Sequence, residues 1–150
     1  MPGFSKGSGY RTPFGKNVFL RSTQDVKTES YTTAAASVPT RDVDGDAIKA
    51  LQPGTVMAKI TSGVEAGKIG PFENDINVVD GRQTLANIVG VNQTFLPWQL
   101  NERDVEVSIA YEASVVQSKC LEHNGTDYIA LTDTTAAAMF GTKGLDIRFA

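Results

Sequence analysis

The sequence is poor in the side chains that most enzymes and metal proteins use. Its 150 residues include one cysteine, Cys120, and one histidine, His123. One cysteine excludes an internal disulfide, and a single Cys-x-x-His pair supplies only half of the about four ligands of a zinc site. No Walker, Rossmann or Gly-x-Ser-x-Gly pattern occurs. We therefore predict no catalytic residue, no cofactor and no metal, with a Cys120–His123 nucleophile pair as the enzymatic alternative.

The sequence also lacks long apolar runs. No stretch reaches about 18 consecutive apolar residues, the length that indicates a membrane span. The N-terminus, MPGFSKGSGYRTPFGKNVFLRS, has no apolar core of the kind that a secretory signal requires. We expect a protein that is made in the cytoplasm without Sec export and does not enter a membrane.

Three alternating aspartates, Asp42, Asp44 and Asp46, resemble the start of a calcium-binding loop. In that loop the sixth position is Gly and the twelfth is Glu, whereas this chain has Ala47 and Pro53 there. The segment is better interpreted as a solvated acidic turn.

Basic side chains are concentrated at one end of the chain. The net charge is −3, but residues 1–21 carry four basic side chains and no acidic one. The remaining residues carry 10 basic and 17 acidic side chains, a net charge of −7. A basic segment ahead of an acidic body indicates that the segment has its own partner, either an acidic protein surface or nucleic acid. A solvated tail with incidental charge is the alternative.

Residues 1–45 are predicted to form an extended or flexible arm. Gly, Pro, Ser and Thr dominate it, and too few apolar residues recur to offset the entropy of ordering the chain. Within it, Thr28–Val38 favours either an extended strand or a linker. The aromatic and basic residues of the arm are candidate contacts with a partner: Phe4, Lys6, Tyr10, Arg11, Phe14, Lys16, Phe19 and Arg21.

Residues 46–150 are predicted to form a mainly β domain, a small barrel or sandwich with one or two short helices. Alternating or continuous apolar stretches predict strands, Asp80-Gly81 and Asn124-Gly125 predict tight turns, the second in a type I′ hairpin, and capping residues predict one helix. The strands are Thr55–Thr61, with Met57 and Lys59 on the face opposite Val56, Ala58 and Ile60, then Leu85–Val91, Asp104–Tyr111 and the stretch from Leu145 to Phe149. The helix runs from Thr132 or Asp133 to Gly141. A short strand near Ile69 should be an edge strand, because Pro71 lacks an N–H group.

An aromatic cluster, Phe95, Leu96 and Trp98, lies in a connection rather than in a clean strand. It is either a plug of the core or an exposed contact patch. We favour a core or subunit contact over ligand binding.

Four stretches resemble the head decoration proteins of tailed bacteriophages, the family of the lambda capsid-stabilising protein. They are LQPGTVMAKIT (51–61), GKIGPF (67–72), DGRQTLANIVGV (80–91) and GLDIRF (144–149). Their order and spacing resemble a Gly-Thr-Val strand, a Gly-Lys-x-x-Pro step, an Asp-Gly-x-Gln-Thr turn and a closing Gly-x-x-Ile strand. The arm and the loop at 92–103 are longer than in that family.

The resemblance implies a β-tulip-like domain that forms homotrimers on the outer surface of the expanded phage head. There it would bind the major capsid protein and stabilise the shell against the pressure of packaged DNA, and its arm would add a strand to a capsid sheet. The expected location is the virion, and no direct contact with nucleic acid is expected. The alternatives are a tail, neck or spike module, a nucleic-acid-binding domain that uses the basic arm, and a small enzyme. The acidic body counts against nucleic-acid binding.

Overall fold

The computed structural model describes residues 18–43, 45–142 and 144–150. The prediction of a mainly β domain with few helices is confirmed. The strands are β1 (Leu20–Thr33), β2 (Arg41–Val43), β3 (Asp46–Ile48), β4 (Val56–Lys59), β5 (Ile69–Pro71), β6 (Ile88–Asn92), β7 (Val105–Val115), β8 (Leu121–His123), β9 (Tyr128–Ala130) and β10 (Asp146–Phe149). The α-helix is α1 (Asp133–Gly141), and 3-10 helices cover Ala35–Ser37, Leu85–Asn87, Gln99–Asn101 and Gln117–Lys119.

The main sheet closes into a small barrel. Its strand order is β1-β5-β4-β6-β7-β10, and β1 also pairs with β7, so that five of the six strands form a ring. The β1–β7 pairing is antiparallel and extends from Leu20 opposite Val115 to Thr33 opposite Val105. The ring is completed between β1 and β5 by a single parallel pair, Thr33 and Ile69. The barrel is therefore firmly paired along β7 and open along most of β1.

Two hydrophobic clusters hold the barrel together. One contains Met57, Ile69, Val107 and Ile109, contributed by β4, β5 and β7. The other lies on the opposite face of β4 and β7 and is covered by α1; among its residues are Val56, Ala58, Phe72, Val91, Ala110, Ala113, Cys120, Ala136 and Met139. Because neighbouring residues of a strand point to opposite faces, β4 is buried on both sides. Met57 was predicted to share a face with Lys59, and it is fully buried whereas Lys59 is exposed.

Strand β1 changes the boundary that the sequence suggested. Residues 20–33 were assigned to an arm that ends at residue 45, yet they are hydrogen-bonded into the main sheet. For Thr28–Thr33, the strand interpretation is the one that the structure supports. Local patterning is weak here because most side chains of β1 are exposed. Hydrogen bonds to the backbone of β7 hold β1 in place, and the hydrophobic pattern of β1 gives no sign of this pairing.

The predicted turns and helix are present with differences in detail. Strands β8 and β9 form a hairpin, but four residues, 124–127, connect them instead of two. The Asn124 side chain accepts hydrogen bonds from the N–H groups of Thr126 and Asp127, at 2.9 and 2.8 Å, and stabilises this wider turn. Helix α1 begins after Thr132, whose hydroxyl accepts from the Thr135 N–H. The helix includes Gly141 as its last residue and is capped by Thr142 instead.

Pro71 is accommodated as its chemistry requires. Strand β5 lies between β1 and β4 in the strand order, but Ile69 is its only residue that pairs with β1. Pro71 faces Met57 of β4 and has no β1 residue opposite it. The missing N–H group therefore costs no hydrogen bond to β1. Among the described residues no helix has the length and apolar character needed to cross a bilayer.

Candidate interaction surface

Most of the predicted arm contacts lie outside the described residues. These are Phe4, Lys6, Tyr10, Arg11, Phe14 and Lys16. Phe19 is described and corrects the prediction: it is 4% exposed and packs in the α1-side cluster. Its carbonyl accepts a hydrogen bond from the Val116 N–H at 2.8 Å. Phe19 is therefore a core residue that cannot reach a partner's pocket, whereas Arg21 is exposed at the start of β1.

The Phe95–Trp98 connection serves mainly as a plug of the core. Leu96 is 5% exposed and packs in the cluster that contains Met57. The backbones of Leu51 and Leu96 exchange two hydrogen bonds, of 2.8 and 2.9 Å. Phe95 and Trp98 are half-buried. Of the three residues, only these two retain surface that a subunit or capsid contact could use.

Cys120 and His123 lie in different surroundings. Cys120 is fully buried in the α1-side cluster, and burial raises the pKa of its thiol to about 12. His123 instead bonds to the Glu73 carboxylate through Nδ1 at 2.7 Å. In the described part of the chain, no group of three or more His, Cys, Asp and Glu side chains could hold a metal ion. The geometry thus gives no support to a Cys–His nucleophile pair.

The burial of Cys120 leads to a direct prediction. At pH 8 a thiol with a pKa near 12 is ionised in only about 10⁻⁴ of the molecules, and the thiolate is the reactive form. We expect an aromatic disulfide reagent to leave Cys120 unmodified in the folded protein and to modify it fully in concentrated urea. Absorbance of the released thiol measures both rates. Fast modification of the folded protein would show that Cys120 is accessible.

Arg82 lies at the centre of a buried charged network. Its Nε is 3.0 Å from Oδ2 of Asp80, its Nη1 is 3.5 Å from Oε1 of Glu73, and Nη1 also donates to the Ser37 carbonyl at 2.8 Å. Glu73 in turn bonds to His123, which is 5% exposed. Arg82 and Glu73 are also buried, so each charge relies on the others for compensation. The network ties the connection before β6 to the β8–β9 hairpin.

A polar cavity of about 600 Å³ lies beside this network. Its walls include Thr40, Arg41, His123, Asp127 and Tyr128. The Arg41 guanidinium lies 5.7 Å from the centre of the Tyr128 ring, and the rings of Tyr128 and His123 meet edge to face at 4.9 Å. These contacts among its own walls make the cavity a structural feature of the hairpin. They do not identify a ligand.

Sequence reasoning missed an exposed aliphatic surface on two neighbouring loops. Val64 is 98% exposed on the β4–β5 loop, and Ile76 and Val79 are 94% and 79% exposed on the connection from β5 to β6. We call these three side chains the loop patch. The sequence contains only a weak indication of this surface. Its β-branched residues lie among Gly, Asn and Asp, in segments whose composition predicts turns. Exposed aliphatic side chains on neighbouring loops can serve as a contact site when a partner covers them together.

The loops that carry the loop patch are held by hydrogen bonds. The Asp80 carbonyl accepts from the N–H groups of Thr61 and Ser62, at 2.8 and 3.3 Å, which joins the two loops. Lys68 donates to Asp104 at 2.6 Å and to Glu65 at 2.7 Å, which ties the β4–β5 loop to the start of β7. The Lys68 ammonium, with the Ala35 N–H, holds the pKa of Asp104 below its ordinary value. The patch is thus presented by anchored loops.

The fold and its surface define a small mainly β domain that exposes Val64, Ile76 and Val79 on its loops. No protein-family model matches the chain, and no curated protein matches it either.

Proposed function

We propose that this chain is a capsid decoration protein. In this proposal it binds the outer surface of an expanded phage head as a homotrimer, contacts the major capsid protein and stabilises the shell against internal DNA pressure. The observation that carries the proposal is the loop patch, a set of exposed aliphatic side chains on anchored loops of a small barrel. A surface of this kind is suited to binding a protein lattice and needs no chemistry of its own.

The placement of the four resembling stretches supports the proposal. The first three contain β4, β5 and β6, and β4 is paired with both of the others. The fourth contains β10, which pairs with β7. The loop patch lies on the connections β4–β5 and β5–β6, between these stretches. The first three stretches thus form one continuous part of the sheet, and β7 lies between them and the fourth.

Simple energetics favour such a role. A ligand that binds only the assembled, expanded lattice stabilises that lattice by mass action. Burying one exposed Val or Ile side chain contributes roughly 1.5–3 kcal/mol before the costs of association are subtracted. Three copies joined in a trimer would convert modest single contacts into strong binding. The loop patch therefore gives strong binding to the shell only if several copies of it bind at the same time.

The test is binding to heads of the phage that encodes the chain. We expect saturable binding to expanded empty heads and none to unexpanded procapsids, measured by co-sedimentation. The triple variant Val64→Ser, Ile76→Ser, Val79→Ser should weaken binding at least about tenfold, or ~1.4 kcal/mol per site, because the loop patch no longer buries apolar surface. Equal binding to procapsids, or none to either particle, would exclude the proposed function.

A matched control separates the patch from general hydrophobicity. Phe140 is 66% exposed on α1, in a different part of the chain. Phe140→Ser should bind heads like the wild type. If the triple variant also binds like the wild type, the body contact lies elsewhere, and the half-buried Phe95 and Trp98 are the next residues to replace. Deletion of residues 2–17, which stops short of the buried Phe19, tests the predicted arm in the same assay and should also weaken binding about tenfold.

A further inference from the structure

In the part of the chain that the structure describes, one edge of strand β1 has no partner strand before Thr33. On one side β1 pairs with β7, and on the other side it pairs with β5 only through Thr33. The Ala34 N–H donates to the Ile69 carbonyl at 2.9 Å. Because backbone groups alternate in direction along a strand, the N–H and C=O groups of the even-numbered residues of this stretch point away from β7. The N–H and C=O groups of Thr28 and Ser30 therefore lie along the open edge.

This edge is accessible and of limited length. Residues 27–30 are all exposed, and so is Thr32. Towards the N-terminus the strand is irregular: Ser22 faces Ser114 and Lys27 faces Glu112, so that four residues of β1 lie opposite one of β7. Bulges of this kind turn an edge away from further pairing. A further register shift lies between Lys27 and Thr28, so the part of the open edge that pairs regularly with β7 extends from Thr28 to Thr32. Natural proteins usually pair or block such an edge.

The side chains along the edge are complementary to themselves. Two antiparallel copies can align their outward backbone groups with the twofold axis at Thr28 or at Glu29. With the axis at Thr28, Lys27 of each copy lies opposite Glu29 of the other, which gives two pairs of opposite charge. With the axis at Glu29, the two Glu29 carboxylates lie directly opposite each other, which is unfavourable. An axis at Ser30 would include Thr32 in the pairing between copies, and Thr32 is next to the residue at which β5 already pairs with this edge.

We infer that two copies of this chain associate through β1, antiparallel, with Thr28 on the twofold axis. The backbone of Thr28 in each copy exchanges hydrogen bonds with that of the other, and two Lys27–Glu29 pairs flank the axis. Lys27 already contacts Glu112 within its own copy at 3.5 Å, so this side chain lies between two carboxylates. The inference does not rest on the proposed function, because it concerns the purified chain with no capsid present.

Sedimentation velocity tests the association. Over about 10–500 µM, a range suited to a small interface, the full chain should shift from monomer to dimer. Thr28→Pro should remain monomeric, because proline removes the outward N–H group while no bond to β7 is lost. Thr28→Val is the matched control: it keeps the N–H group and should dimerise like the wild type. A wild type that stays monomeric, or an oligomer that Thr28→Pro leaves intact, would overturn the inference.

Charge reversal tests the register. Lys27→Glu and Glu29→Lys should each raise the dimer Kd at least about tenfold, because each places two like-charge pairs across the axis. The double variant Lys27→Glu, Glu29→Lys restores opposite charges and should return the Kd to within about threefold of the wild type. Thermal melting confirms that each variant is folded. If the double variant associates as weakly as the single ones, this register is wrong.

Discussion

Replacing Gly90 with alanine should lower the free energy of unfolding by at least about 3 kcal/mol. Gly90 lies in β6 with φ of 146°, in a region that favours glycine. A Cβ atom there would lie 2.3 Å from the Ala110 carbonyl oxygen and 2.9 Å from Cγ2 of Ile109. The obstacle is the backbone of β7, which cannot move away without disrupting the pair of Val91 and Ala110. The cost of the backbone strain at this φ and the cost of the steric overlap with β7 therefore add.

Gly63→Ala is the matched control for this substitution. Gly63 also has a positive φ, 87°, but a Cβ there would meet nothing within 4 Å. It should cost about 1–2 kcal/mol, the strain alone. Urea unfolding at neutral pH measures both variants. If Gly90→Ala costs no more than Gly63→Ala, the close approach of β6 to β7 does not limit the fold.

Replacing Arg82 with methionine should lower the free energy of unfolding by about 3–5 kcal/mol. Methionine preserves much of the side chain's volume but removes the charge that faces Asp80 and Glu73. Glu73 is 4% exposed, so its carboxylate would lose the guanidinium charge while it stays buried beside His123. The Ser37 carbonyl would lose the hydrogen bond that Nη1 donates. Removing one member of a buried charged network is costly because the remaining charges stay buried.

Arg103→Met provides the comparison at the surface. Arg103 and Glu102 form an ion pair at 3.7 Å, with side chains that are 60% and 54% exposed. Its loss should change the stability by less than about 1 kcal/mol. Unfolding in urea at pH 7 should therefore separate the two arginine variants clearly. Similar stabilities for both would mean that the Arg82 network contributes no more than a surface pair.

The Arg82 network also connects stability to the proposed contact surface. Asp80 binds Arg82 through its carboxylate and joins the two patch loops through its carbonyl. Gly81 makes this turn possible for two reasons. Its φ of 108° favours glycine, and a Cβ at this position would lie 2.3 Å from Oγ1 of Thr61. The Asp-Gly dipeptide that predicted a turn is thus where the buried charges meet the loops that carry Val64 and Val79. Weakening the network should loosen the presentation of the loop patch.

Residues that lie next to each other in the chain were predictable for local physical reasons. Asp80-Gly81 and Asn124-Gly125 form turns because Gly81 and Gly125 adopt positive φ. Thr132 begins α1 because its hydroxyl accepts from the Thr135 N–H. The alternation of Val105, Val107 and Ile109 predicted β7 because a strand with one apolar face repeats every two residues. These features depend on backbone dihedral angles and on the period of the strand, both of which the local sequence determines.

Other features were decided only by the tertiary structure. Strand β1 has few buried side chains, so its sequence resembled an arm until the backbone of β7 gave it hydrogen-bond partners. Phe19 lies in a Gly-rich basic stretch, yet it is buried because β1 brings it to the α1-side cluster. Glu73 and His123 are 50 positions apart, and no local pattern indicates that these two side chains are buried together. The sequence by itself determined the turns, the helix and the mainly β class, whereas contacts between distant segments determined which residues are buried and which aliphatic side chains remain exposed.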